Sequence, residues 1–206
     1  MASKLECIDC KRLVMLRKEN TVKFPTYHNN PVVAHGLRKT GLLILGLAPG
    51  LHGANATGLP FNGDYAGKFL NQCLEEKGFR LSEGGSSTSI GYCITNVVKC
   101  FPPSNRPLQS EINNCIKYLK KEILFVQPKI VLCLGVVAHD GLMKVLKGKN
   151  FIKFRHGNLF KVGQLLIVDS YHPSKLNILT GRLSREMFST ILTRIRKEFE
   201  KGIRSE

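Results

Sequence analysis

The run Leu42-Leu-Ile-Leu45, followed by a long glycine-rich loop and then an amphipathic helix, constrains this chain more than any other feature. Consecutive aliphatic residues without polar alternation read as a strand covered on both faces, as in a parallel sheet. From Tyr65 to Leu74, the residues Phe69, Leu70, Cys73 and Leu74 fall on one helical face. The intervening loop, Gly46-Leu-Ala-Pro-Gly-Leu-His-Gly-Ala-Asn-Ala-Thr-Gly-Leu-Pro-Phe-Asn-Gly-Asp64, therefore sits at the carboxyl end of a central strand. Open α/β sheets place their ligands there. Beyond Gly46 the loop holds four more glycines and two prolines, which let backbone approach a flat or anionic ligand. Its polar side chains are few: His52, Asn55, Thr57, Asn62 and Asp64, beside one aromatic, Phe61. Neither glycine pattern of a nucleotide phosphate loop occurs, so the loop suits a ring.

The rest of the chain repeats this alternation. Strand candidates lie at 42–48, 91–98, 129–134 and 165–170, with a weaker one at 151–161. Helix candidates lie at 64–78, 108–126, 136–147 and 183–201, and Gln127-Pro128 ends the second. The pattern predicts one α/β domain over residues 1–206. Its expected form is a three-layer α/β/α sandwich around a central, mostly parallel four-stranded sheet. Ser82 to Ser89 reads as a flexible loop.

Lys and Arg total 31 against 15 Asp and Glu, a formal charge of +16. Such an excess points to a polyanion, and nucleic acid fits best. The C-terminal helix is basic and amphipathic. Burial of Leu183, Met187, Phe188, Ile191, Leu192, Ile195 and Phe199 against the sheet explains its apolar stripe better than a membrane surface does. No apolar run approaches the ~20 residues of a membrane span. The N-terminus, Met1-Ala-Ser-Lys-Leu-Glu-Cys7, has no apolar signal region. The expected location is the cytoplasm, with no membrane partner.

Seven cysteines are present. Cys7-Ile-Asp-Cys10 is a Cys-x-x-Cys, and Cys100 and Cys115 form a second pair with 14 residues between them. A strand–loop–helix return can bring the second pair together. In a cytosolic chain this set reads as a metal site rather than disulfides. Thiolates suit zinc and a four-cysteine iron–sulfur cluster alike; the wide second spacing tilts toward the cluster, with ordinary buried cysteines as the third reading. Cys73, Cys93 and Cys133 lie in apolar runs and read as small core residues.

Three loops at strand ends converge on one rim: 46–64, 96–106 and 171–182. His172 precedes Pro173, which holds it extended so that its ring can enter the cleft. A lone histidine is more often a cap or a packing residue. Asn96 has the ordinary reading of a turn side chain, and Asp64 that of a helix N-cap, which does not preclude catalysis. Together the rim residues can grip the edge and face of a base.

At these residues the chain resembles the uracil-DNA glycosylase superfamily, over nearly its whole length. Gly46-Leu-Ala-Pro-Gly50 with Pro60-Phe-Asn-Gly-Asp64 resembles the first glycosylase motif, and His172-Pro-Ser174 the second. Ile94-Thr-Asn-Val-Val-Lys-Cys-Phe-Pro-Pro-Ser-Asn-Arg-Pro107 resembles the segment bearing a cluster cysteine in the iron–sulfur branches. The resemblance implies a [4Fe–4S] cluster on Cys7, Cys10, Cys100 and Cys115. Family 4 enzymes usually carry glutamate at Leu47 and arginine at Asp64. Those two departures, the insert His52–Gly58 and the segment Asn177–Leu183 resemble family 5, the B-type enzymes. Family 5 often has alanine where Gly50 stands, which leaves the range of bases open.

The resemblance implies a monofunctional hydrolase that removes uracil, and other deaminated bases such as hypoxanthine or xanthine, from DNA. It would thereby start base excision repair. It places Asp64, Asn96 and His172 in catalysis. Substrate contacts would come from Gly46, Leu47, Ala48, Pro49, Gly50, His52, Gly53, Asn55 and Phe61, with Asn96 and His172. The best-known families carry an acidic residue at the position of Ala48; here Asp64 would position the water. Ser174, Lys175, Leu176 and Arg182 would contact DNA, Leu176 as a wedge. The working unit is expected to be a monomer. A uracil-only family 4 enzyme and a non-catalytic nucleic-acid-binding protein with a structural metal are the alternatives.

Overall fold

Along Leu42–Gly46 (β2) every residue is buried, and its side chains alternate between two cores. A computed structural model of the chain describes residues 6–36, 41–81, 89–146 and 152–203. Leu42 and Ile44 face one core, which also takes Phe69, Leu70 and Leu74 of Tyr65–Glu76 (α3) and Phe188, Leu192 and Ile195 of Arg185–Ile203 (α7). Leu43 and Leu45 face the other. There they meet Leu13 of Lys11–Lys23 (α1), Cys115 and Leu119 of Gln109–Val126 (α4), and Ala138 and Leu142 of Val136–Leu146 (α5). A strand covered on both sides needs no polar face, so the continuous aliphatic run follows directly. The three layers are those expected, and the apolar stripe of α7 is buried in the sheet-packing core.

The sheet is wider than the four strands expected. Four strands do form its parallel centre, in the order Ile90–Asn96 (β4), β2, Ile130–Leu134 (β5) and Leu165–Ser170 (β7). Among the described residues, seven strands pair. His35–Gly36 (β1) adds antiparallel to β4, Phe79–Arg80 (β3) adds parallel to the start of β4, and Leu159–Val162 (β6) closes the far edge antiparallel to β7. β1 and β3 are two residues each, too short for any period to show, and an edge strand lacks the two-sided burial that marks the centre. The weak candidate at 151–161 resolves into β6, which begins eight residues later. Most of the expected loop at Ser82–Ser89 lies outside the described residues.

Helix α1 was not anticipated. It has no acidic first turn and no side-chain cap, and it presents only Leu13 and Asn20 to the interior. Two short helices, Ala54–Thr57 (α2) and Lys175–Leu179 (α6), lie inside the loops that follow β2 and β7. Among the described residues, no helix is long and apolar enough to cross a membrane. Cys73, Cys93 and Cys133 are buried in the cores, as expected.

Candidate active site

Because the central strands are parallel, their carboxyl ends line up. Gly46 and Asn96 are direct register partners at the last position of β2 and β4. The loops that leave these ends enclose a cleft of about 250 Å³, whose walls include Leu47, Ala48, Phe61, Asp64, Asn96 and His172. Asn96 is 2% exposed, and among the described residues its Oδ1 has no hydrogen-bond partner. An unsatisfied buried amide oxygen is rare in a folded protein and calls for an explanation. Here it lies in the cleft wall, where a ligand N–H can reach it.

Gly46 makes this approach possible. A Cβ there would stand 2.4 Å from Asn96 Oδ1 and 2.6 Å from the Phe61 ring. Phe61 itself has φ 52°, a left-handed conformation that costs a bulky residue of order 1–3 kcal/mol. The turn it makes lays the ring beside the His172 imidazole, with centroids 5.7 Å apart and planes 32° apart. The two rings form an apolar wall of the cleft.

Asp64 has both of its expected characters. As N-cap of α3, its Oδ1 accepts the Gly67 N–H at 2.8 Å. Oδ2 turns toward the loop, where a Cβ at Gly53 would stand 2.5 Å away and one at Gly50 would stand 3.2 Å away. Glycine at 53 is therefore needed to seat the carboxylate, and glycine at 50 leaves it more room than alanine would. One oxygen holds the helix and the other lies beside the cleft.

His172 follows the end of β7, and its carbonyl accepts from Asn177 Nδ2 at 2.8 Å. The protein packed around the ring pushes its pKa down to about 4, against a smaller upward pull from Asp64. At neutral pH the ring is therefore an uncharged imidazole, a hydrogen-bond donor at one nitrogen only. Ser174 caps α6 by accepting the Asn177 N–H at 3.2 Å and also lines the cleft. Lys175 and Leu176 are exposed at the start of α6, Leu176 by 70%. The Arg182 guanidinium lies over the Tyr171 ring at 4.7 Å.

Several expected contacts lie elsewhere. His52 points outward and meets Tyr27, its Nδ1 3.0 Å from the hydroxyl. Asn55 is buried, and its amide donates to Asn29 Oδ1 at 2.8 Å, which ties α2 to the loop before β1. Pro49 is buried outside the cleft lining, and Gly53 acts through Asp64 rather than facing the cleft. Ala54, Ala66 and Asn105 line the cleft and were not anticipated. The two alanines have no chemical signal in sequence. Asn105 sits in a Ser104-Asn105 pair with both residues left-handed, at φ 52° and 55°, in the proline-rich segment already marked as a rim loop. Arg12 of α1 braces that loop: it forms a double hydrogen bond to Glu111, at 2.8 and 2.7 Å, and reaches the Arg106 carbonyl at 3.3 Å.

The four patterned cysteines come together. Cys7, Cys10, Cys100 and Cys115 line one small cavity with Leu13, Arg17 and Tyr118 among its walls. Burial pushes the Cys100 thiol up to about 12 and the Cys115 thiol up to about 11. Among the described residues, no three His, Cys, Asp or Glu side chains are grouped as a single metal ion would need.

Residues 33–196 match the family model of the uracil DNA glycosylase superfamily. The type-5 uracil-DNA glycosylase of Pyrobaculum aerophilum is 35% identical over 202 residues, covering 92% of this chain and 88% of that protein. The type-5 enzyme of Thermus thermophilus is 35% identical over 198 residues, 90% of each. The type-4 enzyme of Pyrobaculum aerophilum is 33% identical over 159 residues, 72% of this chain and 74% of that protein. Together with a cleft built from the two motifs at 46–64 and 172–174, these likenesses make the chain an enzyme of the uracil-DNA glycosylase superfamily, among its type-5 members.

Proposed function

We propose that the protein hydrolyses the N-glycosidic bond of uracil in DNA and that its cleft also accepts other deaminated bases. The orphan acceptor of Asn96 carries this reading, because a buried amide oxygen without a partner suits the N–H edge of an extruded base. Phe61 packs on the face of the ring. The neutral His172 donates its one N–H to the base oxygen that gains charge as the bond breaks. Asp64 Oδ2 orients the attacking water and stabilises the cationic sugar, while Oδ1 keeps the helix capped. Ala48 lines the cleft but has no group that could take that role. Gly50 lines the cleft, and the missing side chain there supports a base range wider than uracil. Among the described residues no lysine lines the cleft, which supports water as the nucleophile and an uncut strand.

DNA binding would draw on Ser174, Lys175, Arg182 and an inserted Leu176. The charge of +16 supports several phosphate contacts and a steep fall in affinity with salt. A complete cleft within one chain supports a monomer, and a soluble repair enzyme fits the cytoplasm. The cysteine cavity fits a [4Fe–4S] cluster better than a lone ion: a cluster takes one thiolate per iron and so accepts wider spacing than the ~2.3 Å bonds of a single zinc. Bound there, the cluster would supply a structural tie between the N-terminal segment and the 100–115 region.

The test compares Asp64→Ala with His172→Ala on duplexes containing uracil, hypoxanthine or xanthine. Both variants should lose base release, and the wild type should release free base without nicking. Near-wild-type turnover by Asp64→Ala would sink the water-positioning role. Binding without any base release by the wild type would favour a non-catalytic DNA-binding protein.

A further inference from the structure

Lys99 is 1% exposed, and all three protons of its ammonium are used. It donates to Glu122 Oε2 at 2.5 Å, to the Asn96 carbonyl at 2.5 Å and to Thr95 Oγ1 at 2.9 Å. The Thr95 hydroxyl donates to the same Glu122 oxygen at 2.8 Å, and the other oxygen accepts the Ala34 N–H at 2.9 Å. A buried charge pair of this kind is often no more stable than apolar residues of the same shape, because both ions lose their hydration. Stability alone therefore does not account for a lysine here. What the ammonium does grip is the peptide of the residue whose side-chain oxygen is left unpartnered in the cleft wall. Fixing that carbonyl fixes the backbone that aims the Asn96 side chain. Gly46 and Phe61 leave the side chain little freedom on its other side.

We infer that Lys99, braced by Glu122, is the positioning residue for Asn96 and sets the angle at which its amide meets the extruded base. Lys99 also borders the cysteine cavity, so one side chain joins the two regions. The inference rests on Asn96 reading the base, and its test separates the two claims.

The experiment is a double-mutant cycle on the full protein, measuring kcat/KM for uracil release with thermal stability recorded for each variant. Lys99→Met should lose roughly 10–100-fold, the scale of a small misplacement at a reacting centre. In an Asn96→Ala background the same change should cost no more than about twofold, the usual scatter of independent sites. Full additivity in the two backgrounds overturns the inference, since a merely structural lysine would harm both equally. Should Lys99→Met not fold, Glu122→Gln keeps the shape and removes the countercharge. It should show a smaller loss that again vanishes with Asn96→Ala, and wild-type activity in the folded variant overturns the inference. Undiminished activity of Asn96→Ala alone overturns instead the base-reading role, on which the inference depends.

Discussion

The cleft at the sheet's carboxyl edge and the cysteine cavity beside α1 and α4 are built on opposite plans. The cleft is roomy, about 250 Å³, and leaves the Asn96 side-chain oxygen unpaired; the cysteine cavity is narrower, with thiols driven toward their neutral form by burial. Sheet register and glycines hold the first, so its geometry exists before any ligand arrives. The second joins residues 7 and 10 to residues 100 and 115, and the Arg12–Glu111 and Lys117–Asp9 ion pairs bridge the N-terminal segment to α4 at its margin. Preorganisation suits a site that must release its product, whereas a site that ties distant segments together gains from a permanent ligand.

The largest expected effect breaks the cleft's chemistry without touching its fold. Asparagine caps a helix as well as aspartate, so Asp64→Asn should keep the bond to Gly67 and the melting temperature while base release falls ~10²–10⁴-fold. Retained turnover would show that Asp64 is only a cap. Under the proposed cluster, Cys100→Ser should do the reverse: the iron–sulfur absorbance expected of the purified protein should fade and the melting temperature should fall by about 2–4 °C per kcal/mol lost. An unchanged spectrum would remove the cavity from metal chemistry altogether.

Gly46→Ala tests how closely the cleft is packed. Its new methyl would meet both Asn96 and Phe61, so a loss of about 1–3 kcal/mol in stability should accompany weaker substrate binding. His172 gives a finer measure. Its pKa is lowered from 6.5 to about 4 by burial, so between those values the unfolded chain binds a proton that the folded chain refuses. Stability should therefore decline as pH falls through that window, while the ring stays neutral down to about pH 5. An NMR titration of the ring with a midpoint near 6.5 would contradict a buried site. The smallest expected change in stability is that of Leu176→Ala, within about 0.5 kcal/mol, because the side chain is 70% exposed. Slower release from duplex than from single-stranded DNA would mark it as the wedge; equal rates would not.

Much of the cleft was legible because its parts are local. A two-sided aliphatic strand, a glycine-rich loop and a helix with an aspartate cap follow one another in the chain, and each has its own pattern. His52 and Asn55 lie in that same loop, yet they leave the cleft, because Tyr27 and Asn29 draw their side chains away. Those partners lie in the segment just before β1, which has no pattern of its own. Asn105 and the alanines were missed for the same reason: nothing in their type or spacing reports which wall they face.

What the sequence by itself determined is therefore the α/β layering, the parallel centre of the sheet, the excess of positive charge and the list of residues able to do chemistry. Periodicity and residue type suffice for these, since burial on two faces and on one face leave different patterns. Only the tertiary structure decided the edges of the sheet, the lowered pKa of His172, the orphaned state of Asn96 and the Lys99–Glu122 brace that grips the Asn96 carbonyl. Each of these depends on which distant groups share a small volume, and solvation, hydrogen bonding and charge respond to that distance rather than to separation along the chain.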